Sequence, residues 1–277
     1  MANIGALNTL QVVKTVDFGV YLDGEELGEI LLPKKQVPEG CEPGDMLEVF
    51  LYHDTENRLI ATIHHPLAVV GEIGFLKVTA VNDVGAFLEW GIPKNLFVPF
   101  AQQQEPLKQD CSYLTAVYWD EASQRITGST KLAKFISKHP DSLEIGQLVD
   151  LIIANKTEIG FKTIINNTFW GFLYETDIFQ PLTRGQKIQG YVKNIRDDGK
   201  VDLVLQKPGY EKVKDVAEQI LVVLKAHGGT LPVTDKSSTE EIKNLFGISK
   251  KTYKKAVGAL FKARKITMDE NGIGLLP

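Results

Sequence analysis

Val16-Asp17-Phe18-Gly19-Val20-Tyr21-Leu22 is the first of three versions of one phrase in this chain. The second is Asn82-Asp83-Val84-Gly85-Ala86-Phe87-Leu88, and the third is Thr157-Glu158-Ile159-Gly160-Phe161-Lys162. Each reads as a strand ending in a charged or polar pair, then a glycine among bulky residues, then a second extended run. Each is followed downstream by a polar turn closed by a base: Asp54-Thr55-Glu56-Asn57-Arg58, Asp120 to Arg125, and Arg196-Asp197-Asp198-Gly199-Lys200. The glycines are 66 and 75 residues apart, and the closing bases 67 and 75. Two landmarks in one register make a true repeat. A period above about 50 residues exceeds a solenoid unit, so each copy is read as a small domain of its own.

In the first copy, Leu10 to Lys14, Val20 to Leu22, Met46 to Leu51 and Leu59 to Ile63 are short apolar or alternating runs. Asp23-Gly24, Pro38-Glu39-Gly40, Pro43-Gly44-Asp45 and Glu56-Asn57 separate them as turns. Five short strands in about 65 residues predict an OB-type Greek-key barrel, whose second and third strands offer a nucleic-acid face. The repeated glycine is read as a bend or bulge where a strand curls to close the barrel. Asp198-Gly199 is read as a two-residue hairpin. The fold class expected is mainly β. Three tandem five-stranded OB barrels at residues 1–66, 67–143 and 144–209 precede an α+β winged-helix domain at 210–277.

That last domain begins where composition shifts, after Lys207-Pro208-Gly209. Val213, Val216, Ala217, Ile220, Leu221 and Leu224 recur at helical spacing, and His227-Gly228-Gly229 stops the helix. Ser238-Thr239-Glu240-Glu241 opens a second helix with a capping box. Gly247 makes a turn, and Ser249 caps a third helix whose apolar side holds Tyr253, Ala256, Val257, Leu260 and Phe261. Ile266 to Met268, Asn271-Gly272 and Ile273 to Leu276 then spell a hairpin, completing a winged helix.

With 43% hydrophobic and 24% charged residues among 277, the chain is ordinary globular material. No apolar run of about 18 residues exists, which argues against a membrane span. Met1-Ala2-Asn3-Ile4-Gly5 has no basic leader pattern, and Cys41 and Cys111 stand alone, so the expected location is the cytoplasm. The net charge of −4 conceals a gradient. Residues 1–66 hold four bases and eleven acids, while residues 210–277 hold twelve bases and eight acids. A polyanion is steered to the C-terminal half and repelled by the first copy.

Catalytic patterns are missing. His53, His64, His65, His139 and His227 form no ligand spacing with the cysteines, and no phosphate-binding glycine loop or nucleophile elbow occurs. No cofactor and no enzymatic activity are expected.

The phrase Phe-Gly-Val-Tyr-Leu, then Gly-Glu-Ile-Leu-Leu-Pro, Pro-Gly-Asp and Asp-x-x-x-Arg resembles the S-one RNA-binding domain, the OB unit repeated in the largest ribosomal small-subunit protein. Three such copies before a basic winged helix resemble the bacterial conserved virulence factor B family. The resemblance implies RNA contact at Phe18, Tyr21, Leu31, Asp54 and Arg58 in the first copy. In the second it implies Val84, Phe87, Phe97, Asp120 and Arg125, with Trp90 and Phe100 as further rings nearby. In the third it implies Ile159, Lys162, Tyr174, Arg196 and Lys200. Aromatic faces stack on unpaired bases and neighbouring cations track phosphates. Any single ring in a small barrel is also a core candidate. Phe161 and Phe172 are read as core, and Asp54 and Asp120 equally as turn caps. Strand parity sets Tyr21 and Phe87 opposite their buried neighbours.

In the third helix of the last domain, Lys250, Lys251, Lys254 and Lys255 form a basic stripe suited to phosphate attraction rather than base readout. A solvated face is the ordinary alternative for such a run. The reading overall is a non-catalytic, single-stranded RNA-binding regulator of gene expression, with weak barrel contacts multiplied by tethering. Duplex-DNA recognition led by the winged helix, and a ribosome- or transcription-associated scaffold, are its alternatives.

Overall fold

The structure, a computed structural model, describes residues 1–137, 139–178, 180–205, 211–234, 236–270 and 272–276, and at 211–215 the backbone alone. The Lys207-Pro208-Gly209 linker, Asn271 of the last hairpin and the Val213 side chain lie outside the described residues.

β1 (Leu7–Val16), β2 (Gly19–Asp23), β3 (Glu29–Pro33), β4 (Met46–His53) and β5 (Leu59–Thr62) form a closed barrel in the order β1-β2-β3-β5-β4. Only the β3–β5 pair, joined at Leu31 and Ile60, is parallel. That is OB closure. β6 (Ile73–Asn82), β7 (Gly85–Glu89), β8 (Leu96–Pro99), β9 (Ser112–Asp120) and β10 (Arg125–Ser129) repeat the order, ending in β8 and β10 as the two edges of the sheet. Those edges abut through side chains: a Cβ on Gly128 of β10 would come 2.7 Å from Val98 and 2.9 Å from Leu96 of β8. β11 (Leu148–Thr157), β12 (Gly160–Ile165), β13 (Phe169–Tyr174), β14 (Lys187–Ile195) and β15 (Val201–Val204) close a third barrel in the first one's order.

The repeated glycine has one structural cause in all three copies. Gly19, Gly85 and Gly160 have φ of 155°, 157° and 149°, and a Cβ on each would strike the carbonyl of Leu32, Val98 or Leu173 on the next strand. Each opens its strand rather than bulging it. The bulges sit instead on the preceding strands, between Val12 and Lys14, Val78 and Ala80, and Ile153 and Asn155. They keep the same register as the glycines and bend the long first strand around the barrel.

The copies are not packed separately. Phe50 and Tyr52 of β4 are buried in one cluster with Leu76, Leu88, Trp90 and Leu96 of the second sheet, and the Phe50 and Trp90 rings meet edge-on at 5.6 Å. Ile73, Leu114 and Ala116 share another cluster with Ile152, Ala154 and Ile164 of the third barrel. Tethering of independent beads is therefore the wrong picture for these barrels. Their apolar cores run into one another, and Trp90, read from the sequence as a further ring near the second copy's contact residues, is a 2% exposed core residue.

Two compact units result. One holds residues 1–143, 149–189 and 194–202; the other holds 144–148, 190–193 and 203–277. Within the second, α1 (Glu211–Ala226), β16 (Thr230–Leu231), α2 (Thr239–Phe246), α3 (Lys250–Lys262), β17 (Ile266–Met268) and β18 (Ile273–Leu275) build the winged helix, with sheet order β16-β18-β17. Ser238 and Glu241 complete the capping box of α2, Gly247 ends it with φ 67°, and Ser249 caps α3. Val216, Ala217, Ile220 and Leu224 of α1 pack on Ile242, Phe246, Tyr253, Val257 and Leu260. Phe261 is not in that core; it is 52% exposed, at the margin of the buried face of α3.

Candidate nucleic-acid interface

Strands 2 and 3 of each copy set the candidate residues on the outer face. In the first barrel, Tyr21 alternates with buried Val20 and Leu22, and Phe18 beside Gly19 is 57% exposed. The two rings stand edge to face at 6.3 Å. The basic part of the site is spent internally. Arg58 gives two hydrogen bonds to Asp54, at 2.9 and 2.7 Å, and lies 2.9 Å from Glu56. Asp54 also caps the turn, accepting from the N–H groups of Glu56 and Arg58. Burial pushes its carboxyl up, but these bonds outweigh that and hold it below its ordinary value. Lys14 sits 4.8 Å from the Tyr21 ring and pairs with Glu29.

In the second copy, Phe87 and Phe97 face each other across the β7–β8 ladder with ring centroids 5.2 Å apart, both half-buried. Phe100 and Val84 are exposed beyond them. Arg125 is directed elsewhere: its Nε donates to Asn57 Oδ1 of the first barrel's closing turn, at 3.2 Å. Lys94 Nζ donates to the carbonyls of His53 and Asp54 at 2.6 and 2.9 Å, fixing the same turn from beneath. Burial, followed by the nearby Lys94 and Arg125 charges, lowers the His53 pKa. Asp120 caps its own turn through Ser123.

The third barrel carries a groove of about 550 Å³. Trp170, Phe172 and Tyr174 alternate along β13 with buried Phe169, Gly171 and Leu173, so all three rings point into it. Phe172, read from the sequence as core, is half-buried there, its ring 4.9 Å from Tyr174. Phe161, also read as core, is half-buried, with Lys156 Nζ 5.9 Å from its ring. Lys162 lies opposite Phe172 in the ladder, and its Nζ is 3.6 Å from the Trp170 centroid. Burial lowers the Lys162 pKa, and no carboxylate lies within ion-pair distance of it among the described residues. Ser137 and Pro140, preceding the barrel, wall the groove, and Ser137 bridges to Phe169.

The other two bases are matched by acids. Arg196 forms a fork to buried Asp202, at 3.0 and 2.8 Å, and reaches the Tyr174 hydroxyl; these bonds drive its pKa further up. Lys200 pairs with Asp198 at 2.6 Å. This site therefore carries three rings and, among the described residues, one lysine with no carboxylate at ion-pair distance. The Asp198-Gly199 turn also differs: Arg196 N–H bonds to the Lys200 carbonyl, so the loop has three residues, with Gly199 at φ 78°. Asn57, at φ 64°, serves the same purpose in the first copy.

On α3, Lys251, Lys254 and Lys255 are exposed and Lys250 is half-buried, its Nζ 3.4 Å from the Lys236 carbonyl. Among the described residues no cluster of acids, histidines or cysteines could hold a metal, and no helix is long and apolar enough to cross a membrane.

Comparison with known proteins agrees with this architecture. Residues 4–64 match the S1 domain family, the S-one unit above, and residues 218–275 match the CvfB-like winged helix domain family. Conserved virulence factor B of Staphylococcus saprophyticus is 23% identical, over 98% of this chain and 94% of its own length. YitL of Bacillus subtilis is 28% identical, over 95% of this chain and 90% of its own. A crystallised multidomain protein with nucleic acid binding domains from Streptococcus pneumoniae is 25% identical, covering 99% and 98% of the two chains, with a TM-score of 0.40. The resemblance read from the sequence thus holds in both matched domains and over nearly the whole chain.

Proposed function

We propose, from the S1 domain and the CvfB-like winged helix that the chain carries, that it binds single-stranded RNA without catalysis and regulates gene expression through that binding. The observation that supports this most is the third barrel's groove. Three rings line it, and the Lys162 ammonium rests on one of them with no carboxylate partner among the described residues. Unpaired bases stack on aromatic side chains whatever their sequence, and a lysine at the groove supplies a phosphate contact. A duplex hides its base faces and would leave these rings unused. The Phe87–Phe97 pair offers a second stacking platform, and α3 a basic one.

The test is a binding titration of the full chain, at two stated salt concentrations, with a single-stranded oligoribonucleotide and with duplex DNA. Tighter binding to the single strand, weakened by Phe172→Ala with Tyr174→Ala, is expected. Tighter binding to the duplex, untouched by those changes, would replace this reading with a DNA-binding one.

A further inference from the structure

The strand pair opened by the repeated glycine has one length in all three copies but not one charge. It runs from each glycine to its ladder partner, Gly19 to Pro33, Gly85 to Pro99 and Gly160 to Tyr174, fifteen residues each. The first holds four acids, Asp23, Glu25, Glu26 and Glu29, and no base. The second holds Glu89 and Lys94, and the third Lys162 with no acid. Net charge thus runs −4, 0 and +1 across the same piece of fold.

The first hairpin still presents apolar groups. Phe18, next to its opening glycine, is 57% exposed, and Leu27 at its tip is 38% exposed. Tyr21 and Leu31, paired across the ladder, lie between these two and are half-buried. Around the rings, Lys14 is taken by Glu29, and Arg58 by Asp54 and Glu56. Lys34 and Lys35, the remaining bases of the copy, follow Pro33 and lie outside the hairpin. Asp17 and Glu26 are exposed, with no base at ion-pair distance among the described residues. An RNA strand laid here would bring its phosphates to carboxylates rather than to bases. Lys14 shows what does suit the face: its ammonium stands 4.8 Å from the Tyr21 ring while pairing with a carboxylate.

We infer that the outer face of β2 and β3 in the first barrel is a docking surface for a basic protein segment, one carrying arginine beside aliphatic side chains. A guanidinium stacks flat on the exposed Phe18 ring and forks to carboxylates, which an ammonium cannot do. Asp17 and Glu26 supply free acids at the two ends of the face, and Leu27 and Leu31 take the aliphatic groups. The excess of acids is complementary to such a partner and repels a polyanion. This inference does not rest on the RNA reading, and it concerns the copy that reading leaves aside.

The test uses the full chain and a labelled short peptide alternating arginine and leucine, with a single-stranded oligoribonucleotide measured beside it. The variants are Phe18→Ala, Glu26→Lys and, as a charge control at an exposed acid of the second copy, Glu105→Lys. Melting temperatures confirm that each variant folds. Wild type should bind the peptide, and Phe18→Ala and Glu26→Lys should each weaken that binding about threefold or more. Glu105→Lys should leave it level, and Phe18→Ala should leave RNA affinity level. The inference is overturned if wild type ignores the peptide, if Phe18→Ala or Glu26→Lys binds it normally, or if Glu105→Lys weakens it as much. Loss of RNA rather than peptide affinity in Phe18→Ala hands the face to RNA and overturns it too. A wild type that binds the peptide but no RNA sinks the proposed function and leaves this inference standing.

Discussion

Lys162 Nζ lies 3.6 Å from the centroid of the Trp170 ring, with no carboxylate at ion-pair distance among the described residues. A cation held by a ring keeps its charge for a ligand, whereas one held by an acid does not. The two side chains should therefore give different signatures. Lys162→Ala should weaken RNA binding and flatten the salt dependence by about one counterion. Trp170→Ala should weaken it by about 1–3 kcal/mol with the slope unchanged. Titrations at several salt concentrations decide both.

The Phe87–Phe97 pair makes a parallel prediction in the second copy. Changing both to Ala should lower RNA affinity with no change in salt slope, since stacking releases no counterions. An altered slope would show that these rings act by holding a charge in place.

Arg58 should matter little to RNA, although family resemblance points to it. Its guanidinium is engaged by Asp54 and Glu56, so a phosphate would have to displace two carboxylates. Arg58→Ala is expected to change affinity less than about twofold, well under the effect of a free phosphate contact.

The contact between the first two barrels is expected to be acid-sensitive. Burial, with Lys94 and Arg125 close by, holds the folded His53 pKa below its ordinary value, with Asp54 opposing. The unfolded chain takes up this proton near pH 6.5, about the ordinary histidine value. Below that pH, until the folded pKa is reached, the unfolded state binds more protons, so stability falls as pH falls. Denaturant midpoints measured between pH 7 and 5 should drop, and drop less in His53→Gln.

Much of this was legible because the repeat keeps register. The bend glycines, the outward Tyr21 and Phe87, the capping box at Ser238 and the order of four units all follow from local chemistry. Phe172 was misplaced although alternation with Leu173 carried the answer; a large ring in a small barrel suggested core. Phe261 stands four residues from Val257 and eight from Tyr253, so its spacing suits the core, but it lies at the margin of the apolar stripe and stays exposed. Nothing local announces that Asp202 would match Arg196, or that Ser137 and Pro140 would wall a groove. Nor does one strand's composition tell that Phe50 and Tyr52 face the neighbouring copy rather than their own barrel.

Phe50 and Tyr52 also have a bearing on how the chain can be taken apart. Trimming at residue 66 would remove the side chains that cover Trp90, leaving a large indole bare and the fragment prone to aggregate. A repeat that looks modular in sequence should then melt as one cooperative block rather than copy by copy, and Trp90→Ala, at about 3–5 kcal/mol, should lower a single shared transition seen by calorimetry. Dissecting the barrels by point substitution on their outer faces is the workable route; excision is not.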